Sequence, residues 1–231
     1  FKVGDKVLIE PGVPDDTCEY CRTGRYNICP GVDFMATQPN YKGALTQYMT
    51  HPEEWTYHIP EGMTTMEGAL VEPAAVGMHA AVLGGAQPGK SIVILGGGTI
   101  GLMVLQACIS LGATDITVVD VIEKRLELAK KLGAARVING KEEDTVAVLR
   151  SEEMYGDHGV DLVFEAAGAV FTAQQAVQIV SRGGKIMMVG TQSKPVPIDF
   201  LKINREVTIQ TSFRYCNNFP QTIEAISSGR F

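Results

Sequence analysis

Three cysteines crowd into one short loop, Cys18, Cys21 and Cys29, in the spacing C-x2-C-x7-C. Thiolates so spaced are soft ligands on a stretch short enough to wrap one ion. Zinc, which is tetrahedral, thiolate-loving and redox-silent, is the natural occupant. A closed structural site needs four ligands. Asp15 stands three residues before Cys18 and makes the set D-x2-C-x2-C-x7-C, with an oxygen donor at the fourth corner. Asp16 is its neighbour, and spacing alone leaves open which of the two faces the metal. The competing reading is a degenerate, empty site with its thiols packed or free. Five cysteines in all, an odd number, suit a reducing cytoplasm and a metal knot better than a disulfide framework. Cys108 and Cys216 read as small buried or half-buried thiols.

A second stretch addresses phosphate. The apolar run Ser91–Leu95 stops at Gly96-Gly97-Gly98-Thr99-Ile100-Gly101 and restarts as the helical pattern Leu102 to Leu111. In such a strand, turn and helix, Gly96 makes the turn, Gly98 lets backbone approach a pyrophosphate, and Gly101 lets the helix pack closely on the strand. The helix N-terminus offers free N–H groups and a positive dipole end. Asp120 closes the next strand about twenty residues on, where an acid accepts from ribose hydroxyls and favours NAD over NADP. It can also cap the helix that starts at Glu123. A third candidate is Glu72, flanked by apolar residues and followed by Pro73; it reads equally as a first-turn acid or as a catalytic group. His51, His58, His79 and His158 lack metal-ligand spacing and read as structural or surface residues. No G-x-S-x-G elbow is present.

These groups need elements to hold them. Residues 1–60 carry short β-rich runs, Asp5–Glu10 and Ala44–Met49, between prolines and glycines, and read as barrel-like β structure with loops. Thr64 and Glu67 form a capping-box pattern, and a second helix is expected from about Ala74 to Leu83. From Lys90 on, strands at about 91–95, 115–120, 135–139, 160–165, 185–189 and 207–212 alternate with helices. This predicts an α/β fold, a doubly wound parallel sheet with ligands at the strand carboxyl ends. The 231 residues carry 20 Lys and Arg against 26 Asp and Glu, a formal charge of −6. Without a basic cluster or a run of about 20 apolar residues, neither nucleic acid nor membrane is an expected partner.

The cysteine loop, Leu70-Val71-Glu72-Pro73, the glycine turn and Phe213-Arg214-Tyr215, all in this order, resemble a zinc-dependent medium-chain dehydrogenase of the sorbitol (polyol) dehydrogenase branch. Gly12-Val13-Pro14, the Gly24-x-Tyr26-Asn27-x-Cys29 closure and Phe34-Met35-Ala36-Thr37 add to the match. The resemblance implies part of a GroES-like catalytic β domain (1–73), a Rossmann NAD-binding domain (74–213) and the start of a return to the catalytic domain (214–231). It implies oxidation of a polyol secondary alcohol to a ketose, with zinc polarising the hydroxyl and hydride passing to NAD. Glu72 resembles the catalytic glutamate beside the catalytic zinc. Phe34, Glu72, Arg214 and Tyr215 resemble the polyol site. Gly96, Gly98, Ile100, Gly101, Asp120 and Arg125 match the coenzyme turn and adenosine end, and Val189, Gly190, Thr191, Ser212, Phe213 and Arg214 match contacts near the nicotinamide.

The family's first structural cysteine is Asp15 here. The cysteine and the histidine–glutamate pair that hold its catalytic zinc fall upstream of the matching region. The chain is therefore expected to be an internal fragment, itself inactive, of a cytoplasmic, homo-oligomeric enzyme. A threonine or butanediol dehydrogenase of the same superfamily, or a non-catalytic NAD-binding module, are the alternatives.

Overall fold

The computed structural model describes residues 1–37 and 42–231. The chain divides into two compact units, Phe1–Ala75 with Phe213–Arg230, and Val76–Ser212.

The first unit holds short strands and loops. β1 (Val7–Ile9) pairs antiparallel with β4 (Thr56–His58), and β2 (Gly12–Val13) pairs antiparallel with β3 (Asp33–Phe34). Between β2 and β3 lies the one-turn helix α1 (Glu19–Arg22) inside the cysteine loop. The strand expected over Ala44–Met49 does not form. Leu45 and Tyr48 are exposed there, and no strand among the described residues pairs with the segment, so its backbone has no ladder to join.

A second expectation also changes. In place of two helices, one helix α2 runs Thr65–Gly84 with Pro73 inside it. The capping box forms as read: the Thr64 amide donates to Glu67 Oε2 at 2.7 Å, and the Glu67 amide to Thr64 Oγ1 at 3.2 Å. An interior proline costs a helix about 3 kcal/mol. Val71, Ala74, Ala75, Met78, Ala80 and Ala81 are all buried on the continuous helix, and their burial outweighs that cost.

The second unit is a six-stranded parallel sheet: β5 (Ser91–Leu95), β6 (Asp115–Asp120), β7 (Arg136–Asn139), β8 (Val160–Glu165), β9 (Val180–Met188) and β10 (Thr208–Thr211). Their spatial order is β10-β9-β8-β5-β6-β7, so the chain starts mid-sheet, builds out to one edge, then crosses to build the other. That is the doubly wound Rossmann order. The helices α3 (Thr99–Ser110), α4 (Glu123–Lys131), α5 (Thr145–Leu149) and α6 (Val170–Ile179) are the crossovers. The strands are apolar because both faces are covered; Ile92, Val93, Ile94, Leu95, Val163 and Phe164 are fully buried. Register is pinned where Asp161 Oδ2 accepts from the Ser91 amide and hydroxyl, at 2.9 and 3.0 Å, and the Asp161 amide returns a bond to Ser91 Oγ. After β10 the chain rejoins the first unit and ends in α7 (Phe219–Ser227).

Candidate coenzyme, metal and substrate sites

In the second unit the glycine turn follows β5 as read from the sequence. Gly96 has φ +107°, a conformation that suits glycine, and a Cβ there would lie 2.8 Å from the Ala167 nitrogen. A Cβ on Gly101 would overlap the Gly96 carbonyl oxygen, so only glycine lets α3 sit this close to the strand. Gly98 differs: its φ is −71°, and a Cβ would meet nothing within 4 Å. Nothing in the fold itself needs a glycine at 98. The space it leaves lies at the uncapped N-terminus of α3, where a pyrophosphate fits. Asp120 is buried at the end of β6. Its Oδ2 accepts from the Gly97 amide at 2.7 Å and from Arg125 Nη1 at 3.4 Å, and its Oδ1 accepts from the Val121 and Ile122 amides. It thus ties the turn to the strand, while Ile122 occupies the N-cap of α4.

At the neighbouring strand ends, the Val189 and Gly190 amides both donate to the Glu165 carbonyl at 2.8 Å, and the Ser212 amide to Met188 O at 2.9 Å. Gly190 packs so tightly on Gly168 that a Cβ would come 2.7 Å from its Cα, and Thr191 presents its carbonyl to the same glycine. One organising residue, Glu165, reads from the sequence only as the start of a ligand-bearing strand end, with no role of its own. The Glu165 carboxylate, fully buried, accepts from the Ala167 and Gly168 amides, from Thr172 Oγ1 at 2.7 Å and from Gln192 Nε2 at 2.7 Å. An acid closing an apolar strand has to be paired, and that was the available signal. Ser212 Oγ and Gln192 Oε1 are shielded from solvent with no hydrogen-bond partner, polar atoms left for a ligand to satisfy.

In the first unit Asp15, Cys18, Cys21 and Cys29 bring one ligand atom each within 4.8 Å of one another. A tetrahedral ion with bonds of about 2.3 Å needs edges of about 3.8 Å, so the four fit one zinc. Asp15 is the acid that turns inward. Its Oδ1 accepts from the Thr17 and Cys18 amides at 2.8 and 2.9 Å, and those amides hold its carboxyl well below the usual carboxylate range. The Cys21 amide draws the Cys18 thiol down, whereas burial and the two neighbouring thiols push Cys21 up to about 12. A divalent cation is what would let all three ionise together.

The second cluster of this unit gathers Phe34, Glu72, Arg214 and Tyr215. The Arg214 guanidinium lies 4.1 Å above the Phe34 ring and 4.8 Å from Phe213, whose ring is exposed. Tyr215 is buried, with its ring 6.4 Å from Phe34 and 5.1 Å from Phe219. Burial, then the facing Glu72 carboxylate, push the Tyr215 phenol far up. Burial likewise raises Glu72. Glu72 also borders an apolar cavity of about 340 Å³ lined by β1, Ile59 and Ala69. Arg214 Nη1 and the Tyr215 hydroxyl are both shielded from solvent and make no hydrogen bond of good geometry. An unpaired guanidinium nitrogen and a phenol that meets only Glu72 form a site that hydroxyl groups would complete.

Glu10, likewise read from the sequence only as a strand end, lies behind this cluster. It is fully buried and accepts from the Tyr26 hydroxyl at 2.7 Å and the Tyr57 hydroxyl at 3.0 Å. Burial raises its pKa against those two bonds.

Residues 99–228 match the family described as zinc-binding dehydrogenase, and residues 1–61 match the alcohol dehydrogenase GroES-like domain. The chain is 65% identical over 231 residues to the uncharacterized zinc-type alcohol dehydrogenase-like protein YdjJ of Escherichia coli, covering 100% of this chain and 66% of that protein. It is 43% identical to the sorbitol dehydrogenase of Bacillus subtilis, covering 99% of this chain and 65% of that enzyme. A crystal structure of an Escherichia coli oxidoreductase/dehydrogenase of unknown specificity superposes with TM-score 0.97 at 64% identity, over all of this chain and 66% of the other. The chain thus spans just under two thirds of the length of these relatives.

Proposed function

The chain belongs to the zinc-binding dehydrogenase family, and on that premise we propose that it carries the coenzyme fold and part of the substrate site of an enzyme that oxidises a polyol secondary alcohol to a ketose with NAD. The coenzyme role falls to the second unit. The α3 N-terminus and the space at Gly98 receive the pyrophosphate, Asp120 takes the ribose hydroxyls, and Arg125 stands beside the adenine. Ser212 and the 189–191 segment face the nicotinamide end. An acid at position 120 opposes a 2′-phosphate, which sets NAD over NADP.

Substrate recognition falls to the first unit, and one observation carries the polyol reading: Arg214 Nη1 is shielded from solvent without a partner, and beside it the Tyr215 hydroxyl faces Glu72 without a hydrogen bond of good geometry. A substrate with several hydroxyls can satisfy Arg214 with one of them while another reacts, whereas a simple alcohol has only its reacting hydroxyl to offer. Glu72, its pKa raised by burial, holds a proton at the reacting end more readily than an exposed glutamate. Zinc at the reacting hydroxyl supplies Lewis-acid polarisation in this family. A zinc held by Asp15 and the three cysteines would instead fix the loop that carries them. No helix among the described residues is long and apolar enough to cross a membrane.

The test is NAD reduction by the full-length protein on sorbitol, xylitol, threonine and 2,3-butanediol. Preference for the polyols supports the reading. Preference for threonine or butanediol overturns it in favour of another substrate class, and NAD binding without turnover on any of the four makes the protein a coenzyme-binding module.

A further inference from the structure

The segment Phe213–Asn218 that carries Arg214 and Tyr215 has no regular secondary structure. Two of its non-glycine residues, Arg214 (φ +53°) and Asn217 (φ +55°), sit in the left-handed region. Such a backbone persists only where its surroundings hold it. The hydrogen bonds that hold its backbone from Phe213 to Asn217 come from the cysteine loop. Asn27 Nδ2 donates to the Phe213 carbonyl at 2.9 Å, just before the arginine. On the far side of the tyrosine, the Gly24 carbonyl accepts from Asn217 Nδ2 at 2.7 Å and from the Cys216 thiol at 3.0 Å. The Asn217 amide donates to the Tyr26 hydroxyl at 2.8 Å, and that hydroxyl in turn donates to buried Glu10. Asn218 anchors the exit: its Nδ2 donates to the Ala75 carbonyl at 3.0 Å, and its carbonyl accepts from the Thr222 amide at 2.9 Å and hydroxyl at 2.7 Å.

Gly24, Tyr26 and Asn27 all lie between Cys21 and Cys29. We propose that they are the template for the Phe213–Asn218 segment, so that the cysteine loop sets where Arg214 and Tyr215 meet the substrate. Tyr26 and Asn27 are positioning residues: they reach the polyol only through the segment they hold. This deepens the polyol reading and rests on it for the identity of the substrate, but the template itself is a matter of structure. It also gives the loop a task beyond stability. The ligand set that closes the loop fixes, through three residues, the shape of a substrate pocket.

The test compares the full-length protein with its Asn27→Ala, Asn27→Asp and Tyr26→Phe variants. Asn27 is partly exposed and Asn27→Asp keeps its shape without the donor, so the Asn27 variants should fold; Tyr26→Phe keeps the ring against Trp55 but takes a donor from Glu10, and its folding is checked by its thermal midpoint. Backbone hydrogen exchange, followed on peptides spanning 213–218 and 96–101, is the first readout. Exchange should speed up in the former and stay unchanged in the latter. The second is steady-state kinetics: the KM for sorbitol should rise roughly fivefold or more, as expected for losing one held hydrogen bond. The KM for NAD and the turnover of a simple secondary alcohol such as 2-butanol should stay near wild type. Unchanged exchange over 213–218 in all three variants overturns the template. Faster exchange with an unchanged sorbitol KM overturns its link to recognition. A wild-type protein that does not oxidise sorbitol defeats the polyol reading alone, because the exchange result still decides whether the loop holds the segment.

Discussion

The two glycines of the coenzyme turn, 98 and 101, should fail in different ways when each is given one methyl group. At Gly101 the new Cβ overlaps the Gly96 carbonyl oxygen, and alanine has no rotamer to turn away with. Either α3 lifts off β5 or the turn opens. Overpacking of that kind costs up to about 3 kcal/mol. Alanine recovers about 1 kcal/mol of helix propensity, leaving Gly101→Ala about 2 kcal/mol less stable. At Gly98 the Cβ meets nothing and the backbone is already in a region open to every residue. The apo-protein should therefore keep its stability within about 0.5 kcal/mol. What the methyl group fills is the space assigned to the pyrophosphate. The assay is thermal unfolding with and without NAD. At a concentration about 100 times its Kd, NAD stabilises the wild type by about 2.7 kcal/mol. Gly98→Ala should lose most of that increment with its apo midpoint intact, and Gly101→Ala should show a lowered midpoint even without NAD. A Gly98→Ala protein stabilised by NAD as fully as the wild type would refute the placement of the pyrophosphate, whatever Gly101 does.

Three further outcomes are expected. Asp120→Ser should weaken NAD binding roughly tenfold, the worth of a charged hydrogen bond, and narrow the preference over NADP, read by titration calorimetry with each coenzyme. Asp15→Asn keeps the oxygen that accepts from the Thr17 and Cys18 amides but drops the charge, so zinc affinity of the cysteine loop should fall at least about tenfold in a chelator competition. For pH, the Glu10 carboxyl is raised above its ordinary 4.5 by burial, so in the window between 4.5 and its raised value the folded state keeps a proton that the unfolded state has lost. Stability should decline as pH rises through that window. Denaturant midpoints measured across it should fall less steeply in Glu10→Gln than in the wild type.

Much of the second unit could be read directly because its strands are short apolar runs buried on both faces and stopped by glycine or an acid. Ser91–Leu95 and Asp115–Asp120 fall where the residues place them, and Gly101 lies against the Gly96 carbonyl with no room for a side chain. β9 begins earlier than expected, at Val180, because the pairing with β8 shifts register between Val160 and Leu162, a feature no periodicity signals. The two helices expected on either side of Pro73 are one, because the face of α2 is buried on both sides of the proline. In the first unit, Ala44–Met49 has a strand's composition, but a strand needs a partner, and pairing is not a local property. The same limit hid Glu10. It follows Val7-Leu8-Ile9 like any acid at a strand end, and its partners Tyr26 and Tyr57 lie 16 and 47 residues away. Arg214 and Tyr215 were singled out by resemblance, but that the cysteine loop holds them only becomes visible once residues 24–27 and 213–217 are brought together.

The strand order of the second unit bears on synthesis as well as on binding. β5, in the middle of the sheet, leaves the ribosome first among the six, and β6 and β7 can pair outward from one of its edges as they emerge. The other edge, Ile92 to Leu95, pairs only with β8, which arrives after α4, β7 and α5 have been made. At translation speeds of about 5–20 residues per second that edge stays unsatisfied for several seconds. An apolar strand edge open for that long is a template for pairing with another nascent chain. The hazard for this fold is therefore one of timing: slowing elongation between Asn139 and Val160 should lower the yield of soluble protein without changing the stability of the finished molecule.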